Sequence, residues 1–283
     1  MNENSQQPTQ VIKDWIANAS NQLKAIGISS HLLDAEIILA HTLRRNRTFL
    51  HSHEDDPIGP NSTEIANARL ELRLDRVPIA YIIGHKEFYG RNFNVTPATL
   101  IPRPETESII YTIKELVSQR SLLTDKISLV DVGTGSGCIG ITLKLECPEL
   151  DVALLDISPS AINIATKNSK LLNSDVKIIK SDLLTDYPLR ANIIVANLPY
   201  VDESWDFLSP ELLHEPSLAL YAEKHGLDLI FRLLDQSENH LHDSGYIVLE
   251  AEPMQHNKIV NYAKKYKLLK YKSDDYCLVL QKI

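Results

Sequence analysis

Residues Val130–Gly140 read VDVGTGSGCIG, with glycines at alternate positions between two apolar stretches. Ile127–Val132 is a short apolar run of the kind that forms a buried strand, and Cys138–Leu145 continues as a helix. Gly133, Gly135 and Gly137 let the chain turn sharply between them and let a ligand approach the main chain. Amides exposed at the start of a helix suit a polar or anionic group. Val152–Asp156 is a second strand, and it ends in an acid 19 residues after Gly137. In a Rossmann-like sheet a carboxylate at that position reaches across to ribose hydroxyls, so loop and acid together select a nucleoside. No GKS or GKT follows the glycines, which argues against a P-loop. The loop alone leaves NAD, FAD and S-adenosylmethionine open.

Outward from this unit the pattern alternates strand and helix. Ser158 is placed to cap a helix with Pro159 at its first position. Val176–Lys180, Ile193–Ala196 and Tyr246–Glu250 read as further buried strands. Leu268–Tyr271 and Cys277–Leu280 are close enough to pair antiparallel through Ser273–Asp275. Such alternation predicts an α/β fold, a mostly parallel sheet between two helical layers. Residues 9–76 read differently, as a small helical bundle. Thr9 is placed to cap a first helix carrying Ile12, Trp15, Ile16, Ala19 and Leu23 at helical spacing, with Gly27 past its end. Ser30 opens a second helix with Leu33, Ile37 and Ala40 on one side, and Thr63 a third running to Arg76. Between bundle and sheet, Pro78, Gly84, Gly90, Pro97 and Pro102 interrupt any helix, and Glu87–Phe93 with Asn94–Leu100 suggests a hairpin. Thr106 then caps a helix bearing Ile109, Ile110, Ile113, Leu116 and Val117. The expected organisation is a helical domain over 1–76, a connector over 77–103 and an α/β domain over 104–283.

Composition narrows the class further. The 283 residues are 43% hydrophobic and 23% charged, which is globular and argues against disorder. Apolar runs such as Ile193–Ala196 fall far short of the roughly 20 residues needed to cross a bilayer. The opening MNENSQQPTQ lacks a basic-then-apolar signal pattern, so a cytoplasmic protein is expected, with no membrane partner. Three scattered cysteines form no CxxC pair and the ten histidines show no ligand spacing, so neither disulfides nor a metal are expected. The net charge of −8 is uneven: residues 1–103 hold 11 basic and 11 acidic side chains, residues 104–283 hold 18 and 26. An acidic surface repels phosphate backbones, which disfavours stable nucleic-acid binding.

The reaction is suggested by Asn197-Leu198-Pro199-Tyr200, directly after the buried strand Ile193–Ala196. Open α/β sheets place ligands at the carboxyl ends of their parallel strands. An [Asn/Asp]-Pro-Pro-[Tyr/Phe] loop there marks enzymes that methylate a planar, conjugated nitrogen. The lone pair of such a nitrogen is delocalised, so the site must fix it in line with the methyl carbon. The Asn197 side-chain oxygen can accept one N–H and the Leu198 carbonyl the other, favouring charge that develops on nitrogen. Tyr200 offers a flat face to the planar group. No strong base is required, because the proton can leave after transfer.

With EFYGRNFNVTPATLIPRPETE (Glu87–Glu107), the glycine loop and NLPY in this order, the chain resembles the HemK/PrmC family of release-factor glutamine N5-methyltransferases over nearly its whole length. Thr96–Glu107 is the most specific part. The resemblance implies a class I (Rossmann-like) methyltransferase sheet with a small amino-terminal helical domain. It implies S-adenosylmethionine as methyl donor, with S-adenosylhomocysteine as product. It implies the glutamine of the Gly-Gly-Gln motif in class I peptide chain release factors as substrate. Carried over, Gly133, Thr134, Gly135, Ser136 and Gly137 contact the donor, Asp156 its ribose, and Leu183 and Asn197 its adenine and methionine ends. Asn197, Leu198, Pro199 and Tyr200 hold the glutamine amide, with Asn197 and Tyr200 catalytic. Arg103, Thr106 and Glu107 border the donor pocket, and the helical domain orients the release factor. Two departures stand out. Leu198 replaces the usual first proline, which keeps the carbonyl but gives up a fixed φ. Leu183 stands where some members carry tryptophan. The NLPY spelling also occurs in RNA adenine dimethyltransferases, so an N6-adenine methyltransferase acting on RNA or DNA is the alternative, although those enzymes place their helical domain after the catalytic one. A non-catalytic module binding donor or release factor is the third reading.

Overall fold

The structure, a computed structural model, describes residues 10–120, 127–201, 209–220 and 226–283. It forms two compact units, Met1–Gly84 and His85–Ile283. The first is helical: α1 (Ile12–Ala25), α2 (His31–Leu43), α3 (Arg47–Ser52), α4 (Pro60–Leu74) and α5 (Ile79–Ile83). α1 buries Ile12, Trp15, Ala19 and Leu23, the stripe its spacing predicts. Its N-cap is Val11; Thr9 lies outside the described residues. α2 is rotated from expectation. Leu33 is 41% exposed, while Asp34, Ala35, Glu36, Ile38 and Leu39 are buried. The cause is charge pairing: Arg73 donates to Asp34 at 2.7 Å and Arg47 to Glu36 at 2.7 Å, so two carboxylates can face inward. α3 is short and capped by Asn46, whose side chain accepts the Phe49 amide at 2.9 Å. α4 begins before Thr63, because Pro60 follows the Gly59 cap and its fixed φ suits the first turn.

The second unit opens with a hairpin of β1 (His85–Phe88) and β2 (Arg91–Asn94). Its turn is Tyr89-Gly90, both at positive φ (50° and 73°), the two-residue geometry that matches strand twist. The hairpin therefore sits nearer the amino end than the expected Glu87–Phe93 and Asn94–Leu100 pair, and residues 95–100 are not strand. A single 3-10 turn, Pro104–Thr106, leads into α6 (Glu107–Arg120). Thr106 closes that turn with its side chain buried, so it does not cap α6 in the expected way.

Next come β3 (Ser128–Val132), α7 (Cys138–Glu146), β4 (Asp151–Asp156), α8 (Pro159–Leu171), β5 (Lys177–Lys180) and β6 (Ala191–Ala196). The remainder is α9 (Ser217–Leu220), α10 (Asp228–His240), β7 (Leu241–Glu250), α11 (Pro253–Ala263), β8 (Leu268–Asp274) and β9 (Cys277–Lys282). The seven strands from β3 onward lie in the order β5-β4-β3-β6-β7-β9-β8, and β9 alone runs against the others. Alternate residues feed two cores, as a sheet covered on both faces requires. Leu129, Val152, Leu154, Ile193, Val195 and Val248 pack with α6, α7 and α8. Val130, Val132, Leu155, Ile194, Ala196 and Leu249 pack with α10 and α11. Ser158 caps α8, accepting the Ala161 amide at 3.3 Å. All three cysteines are buried, and burial pushes the Cys138 thiol up to about 12.

The register of this sheet sets the site. Val132 pairs with Leu155 on one side and Ala196 on the other, and Ala196 pairs with Leu249. The next residue along each strand therefore forms a row: Asp156, Gly133, Asn197, Glu250.

Candidate active site

The glycine loop is held from beneath by an acid of its own strand. Asp131 is buried; one oxygen accepts the Thr134 hydroxyl at 2.6 Å and the Gly140 amide at 3.0 Å. The second bond satisfies an amide in the first turn of α7, where a carboxylate also meets the positive end of the helix dipole. Burial raises the Asp131 carboxyl to about 6, against the lowering effect of those two donors. Gly140 has no room for a side chain: a Cβ there would lie 2.2 Å from Leu154 Cδ2. Gly133, Gly135 and Gly137 all adopt positive φ, at 70°, 55° and 82°.

Asp156 meets the loop directly. Its carboxylate accepts the Gly135 amide at 2.9 Å and the Ser158 amide at 2.9 Å. Burial raises its pKa, and backbone amides of Ser158, Gly135 and Ile157 oppose the rise. Among the described residues, nothing lies within 4 Å of where a Gly135 side chain would stand, so the main chain is open to them there. Ile157, 58% exposed, puts an apolar surface beside Asp156; an apolar residue after the strand-end acid is the signal that would have found it. Thr134 spends its hydroxyl on Asp131, and both Thr134 and Ser136 are buried. The Ser136 carbonyl accepts Asn168 Nδ2 at 2.8 Å, and Asn168 Oδ1 accepts the Asn94 amide at 2.8 Å, tying the end of β2 to the loop. Leu183 is buried in the sheet core at a φ of 52°, its carbonyl accepting the Ser181 hydroxyl at 2.8 Å.

The Asn197–Tyr200 loop lies against the glycine loop. Leu198 is buried, and its Cδ2 would stand 2.8 Å from a side chain at Gly133. Asn197 Nδ2 donates to Thr106 Oγ1 at 3.3 Å. The Tyr200 hydroxyl donates to Glu250 Oε1 at 3.2 Å, and the Tyr200 carbonyl accepts Gln255 Nε2 at 3.0 Å. Gly226 packs so tightly on that carbonyl that a Cβ would fall 1.9 Å from it. Burial and the Glu250 charge raise the Tyr200 pKa, which keeps the phenol protonated. Of the three residues expected at the border of the pocket, only Thr106 reaches Asn197. Arg103 pairs with the buried Glu215, and Glu107 accepts the Tyr89 amide at 2.9 Å.

Glu250, Gln255 and Gly226 went unassigned in the sequence. Glu250 carries a signal that could have found it, since like Asp156 it is an acid at the carboxyl end of a buried parallel strand. It is 3% exposed, and burial raises its pKa.

A seven-stranded sheet with one reversed strand, a glycine loop after its first parallel strand and an acid after the second define a class I S-adenosylmethionine-dependent methyltransferase. Two family models match the chain: the PrmC N-terminal domain over residues 14–84 and the methyltransferase small domain over residues 114–271. A release factor glutamine methyltransferase of Koribacter versatilis is 36% identical over 84% of this chain and 85% of its own length. That of Buchnera aphidicola is 32% identical over 94% of this chain and 95% of its own. The protein belongs to the release factor glutamine methyltransferase family. Among solved structures, a 16S rRNA methyltransferase of Thermus thermophilus in complex with AdoMet and guanosine shares the fold (TM-score 0.54, 15% identity, 70% of this chain and 50% of that one). A methyltransferase of Pyrococcus furiosus does so as well (TM-score 0.51, 18% identity, 76% and 97%).

Proposed function

We infer that this protein transfers a methyl group from S-adenosylmethionine to the side-chain amide nitrogen, N5, of the glutamine in the Gly-Gly-Gln motif of class I peptide chain release factors. The observation that carries this reading is the juxtaposition of Asn197, anchored through its Nδ2, with Gly133 and the Asp156 carboxylate along one row of strand ends. The residues present fit the donor: an open main chain at Gly135, a carboxylate at Asp156 and an apolar face at Ile157. Bound S-adenosylmethionine supplies a methyl carbon activated by its sulfonium and leaves as S-adenosylhomocysteine.

The chain's own residues do the rest. The backbone of Gly133–Gly137 cradles the polar end of the donor, and Asp156 exchanges its loop amide for ribose hydroxyls. Leu183 and Ile157 border the adenine. Asn197 Oδ1 and the Leu198 carbonyl each accept one N–H of the glutamine carboxamide, which aims its lone pair at the methyl carbon. A C–N bond forms as the C–S bond breaks, and the surplus N–H proton passes to water. Both acceptors stabilise the positive charge that builds on nitrogen before that proton leaves. Tyr200 packs against the planar group. Leu198 supplies the carbonyl a proline would, and its side chain fills the space over Gly133 that holds the loop in place. The helical unit orients the release factor, and the substrate makes this a cytoplasmic enzyme. Among the described residues, no helix is long and apolar enough to cross a membrane.

The test is incubation with labelled donor and, separately, purified release factor and RNA. Label on the factor's glutamine is the expected result. Label on RNA alone would replace this reading with a nucleic-acid methyltransferase, and binding of both substrates without turnover would replace it with a non-catalytic module.

A further inference from the structure

Arg103 and Glu215 form an ion pair that the transfer as derived so far does not use. The Glu215 side chain is 2% exposed. Its Oε2 accepts the Ile101 amide at 3.1 Å, and its Oε1 meets one guanidinium nitrogen of Arg103. Those partners lie 114 and 112 residues away along the chain. A carboxylate buried to this degree persists where its charge is paired and its oxygens are hydrogen-bonded. The pair thus joins two segments: Ile101–Thr106, which ends in the 3-10 turn, and Glu215–Leu220, which ends in α9.

Each segment holds one end of the loop that follows β6. The Thr106 amide donates to the Arg103 carbonyl at 3.2 Å, and the Thr106 hydroxyl accepts Asn197 Nδ2 at 3.3 Å. On the other side, the Ala219 amide donates to the Pro216 carbonyl at 2.8 Å, which sets α9 directly after Glu215. Leu220, the buried last residue of α9, offers its carbonyl to the Val201 amide at 3.0 Å. The contacts close a ring that runs from Asn197 through Thr106, Arg103, Glu215 and Leu220 to Val201. The stretch of loop it spans is Leu198–Tyr200. Leu198 lacks the fixed φ a proline would have there, so this loop depends more on what holds its ends.

We propose that Glu215 is a positioning residue for methyl transfer: with Arg103 it locks together the two segments that hold the ends of the Asn197–Val201 loop, and so keeps the Asn197 and Leu198 acceptors at the spacing the substrate carboxamide needs. This rests on the methyltransferase reading above. Glu215 acts through Arg103 and Thr106 at one end of the loop and through Leu220 at the other. The accuracy it supplies matters because misplacing a reacting group by about 1 Å costs on the order of 100-fold in rate.

The test compares E215Q, R103M, R103K and the double variant R103M/E215Q in the full chain. E215Q and R103M are each expected to lower kcat about tenfold, with KM for the release factor and Kd for the donor within about twofold of wild type. The double variant is no worse than the poorer single one, because both break the same link. R103K keeps the charge and a donor for Oε1, and recovers kcat to within about threefold of wild type. The double variant leaves no unpaired charge buried, so it keeps the test readable should R103M fold poorly. A readout independent of turnover is hydrogen exchange of the Val201 amide, followed by nitrogen NMR. It is protected in wild type and R103K and loses protection in the other variants, while the amides of β6 stay protected in all. A merely structural pair would lower protection in β6 and Val201 alike. The proposal is overturned by that pattern, by wild-type kcat in both E215Q and R103M, by losses that multiply in the double variant, or by a loss that falls on donor affinity. Failure of wild type itself to methylate the factor would sink the functional reading, and the Val201 exchange would still decide whether the pair holds the loop.

Discussion

The glycine loop and the Asn197–Tyr200 loop leave neighbouring strands and face each other, but they are held in different ways. The glycine loop is fixed chiefly from within its own unit: Asp131 binds Thr134 and Gly140, three and nine residues along the chain, and Asp156 and Asn168 add bonds from 21 and 32 residues away. The second loop is fixed from a distance, by Thr106 (91 residues away), Glu250 (50) and Gln255 (55). A cradle for a common donor can be written in one short string of residues. The Asn197–Tyr200 loop borrows its rigidity from residues at three distant positions in the chain.

The sharpest way to break this contrast is Asn197→Ala. Turnover is expected to fall by roughly 100-fold or more, the scale seen when a charge-stabilising group is removed, while donor affinity measured by calorimetry changes by only a few fold. An equal loss of donor affinity would mean the two loops form one site rather than two.

Asp131 gives the local side a pH signature. Its carboxyl is raised to about 6 from the ordinary 3.8, so the native state holds the proton more tightly than the unfolded chain. Its contribution to stability is therefore greatest below about pH 4, falls as pH rises through about 6, and stays lost above. Asp131→Asn keeps an oxygen that can accept both bonds and removes the titration. The stability of the variant relative to wild type should rise by about 3 kcal/mol across that window, because each tenfold difference in proton affinity is worth about 1.36 kcal/mol. Parallel curves of stability against pH would contradict the assignment.

Gly140→Val probes the packing beneath the same loop. Its Cβ would fall 2.2 Å from Leu154 Cδ2, and overpacking of this kind costs about 1–3 kcal/mol. Urea denaturation should show that loss, and a variant as stable as wild type would refute the close packing beneath the loop.

The smallest effect is expected from Gln255→Ala, which frees the Tyr200 carbonyl. A loss of about threefold to tenfold in kcat, the worth of one hydrogen bond, should appear in steady-state kinetics with donor affinity unchanged.

The same contrast explains what the sequence made legible. The glycine loop, Asp156 and NLPY could be read because each is a contiguous signal whose geometry follows from local chemistry. Buried strands could be read because residues covered on both faces form short apolar runs. Thr106 looked like a helix cap because threonine before a helical stripe usually is one; its hydroxyl instead accepts the Asn197 side-chain amide, from a residue 91 positions further along the chain. Leu33 looked buried because leucine at helical spacing usually is, but the Asp34–Arg73 and Glu36–Arg47 pairs rotate α2. Asn168 carries four bonds between hairpin and loop, and nothing in its neighbours along the chain announces them. Partners of this kind become visible only once the sheet order is known.

The most direct measurement is a structure of the protein with S-adenosylhomocysteine and a release-factor fragment carrying the Gly-Gly-Gln motif. The glutamine carboxamide should lie within hydrogen-bond reach of Asn197 Oδ1 and the Leu198 carbonyl, with its nitrogen facing the donor sulfur. A carboxamide bound elsewhere, or one whose nitrogen meets Asn197 Nδ2, would contradict the account.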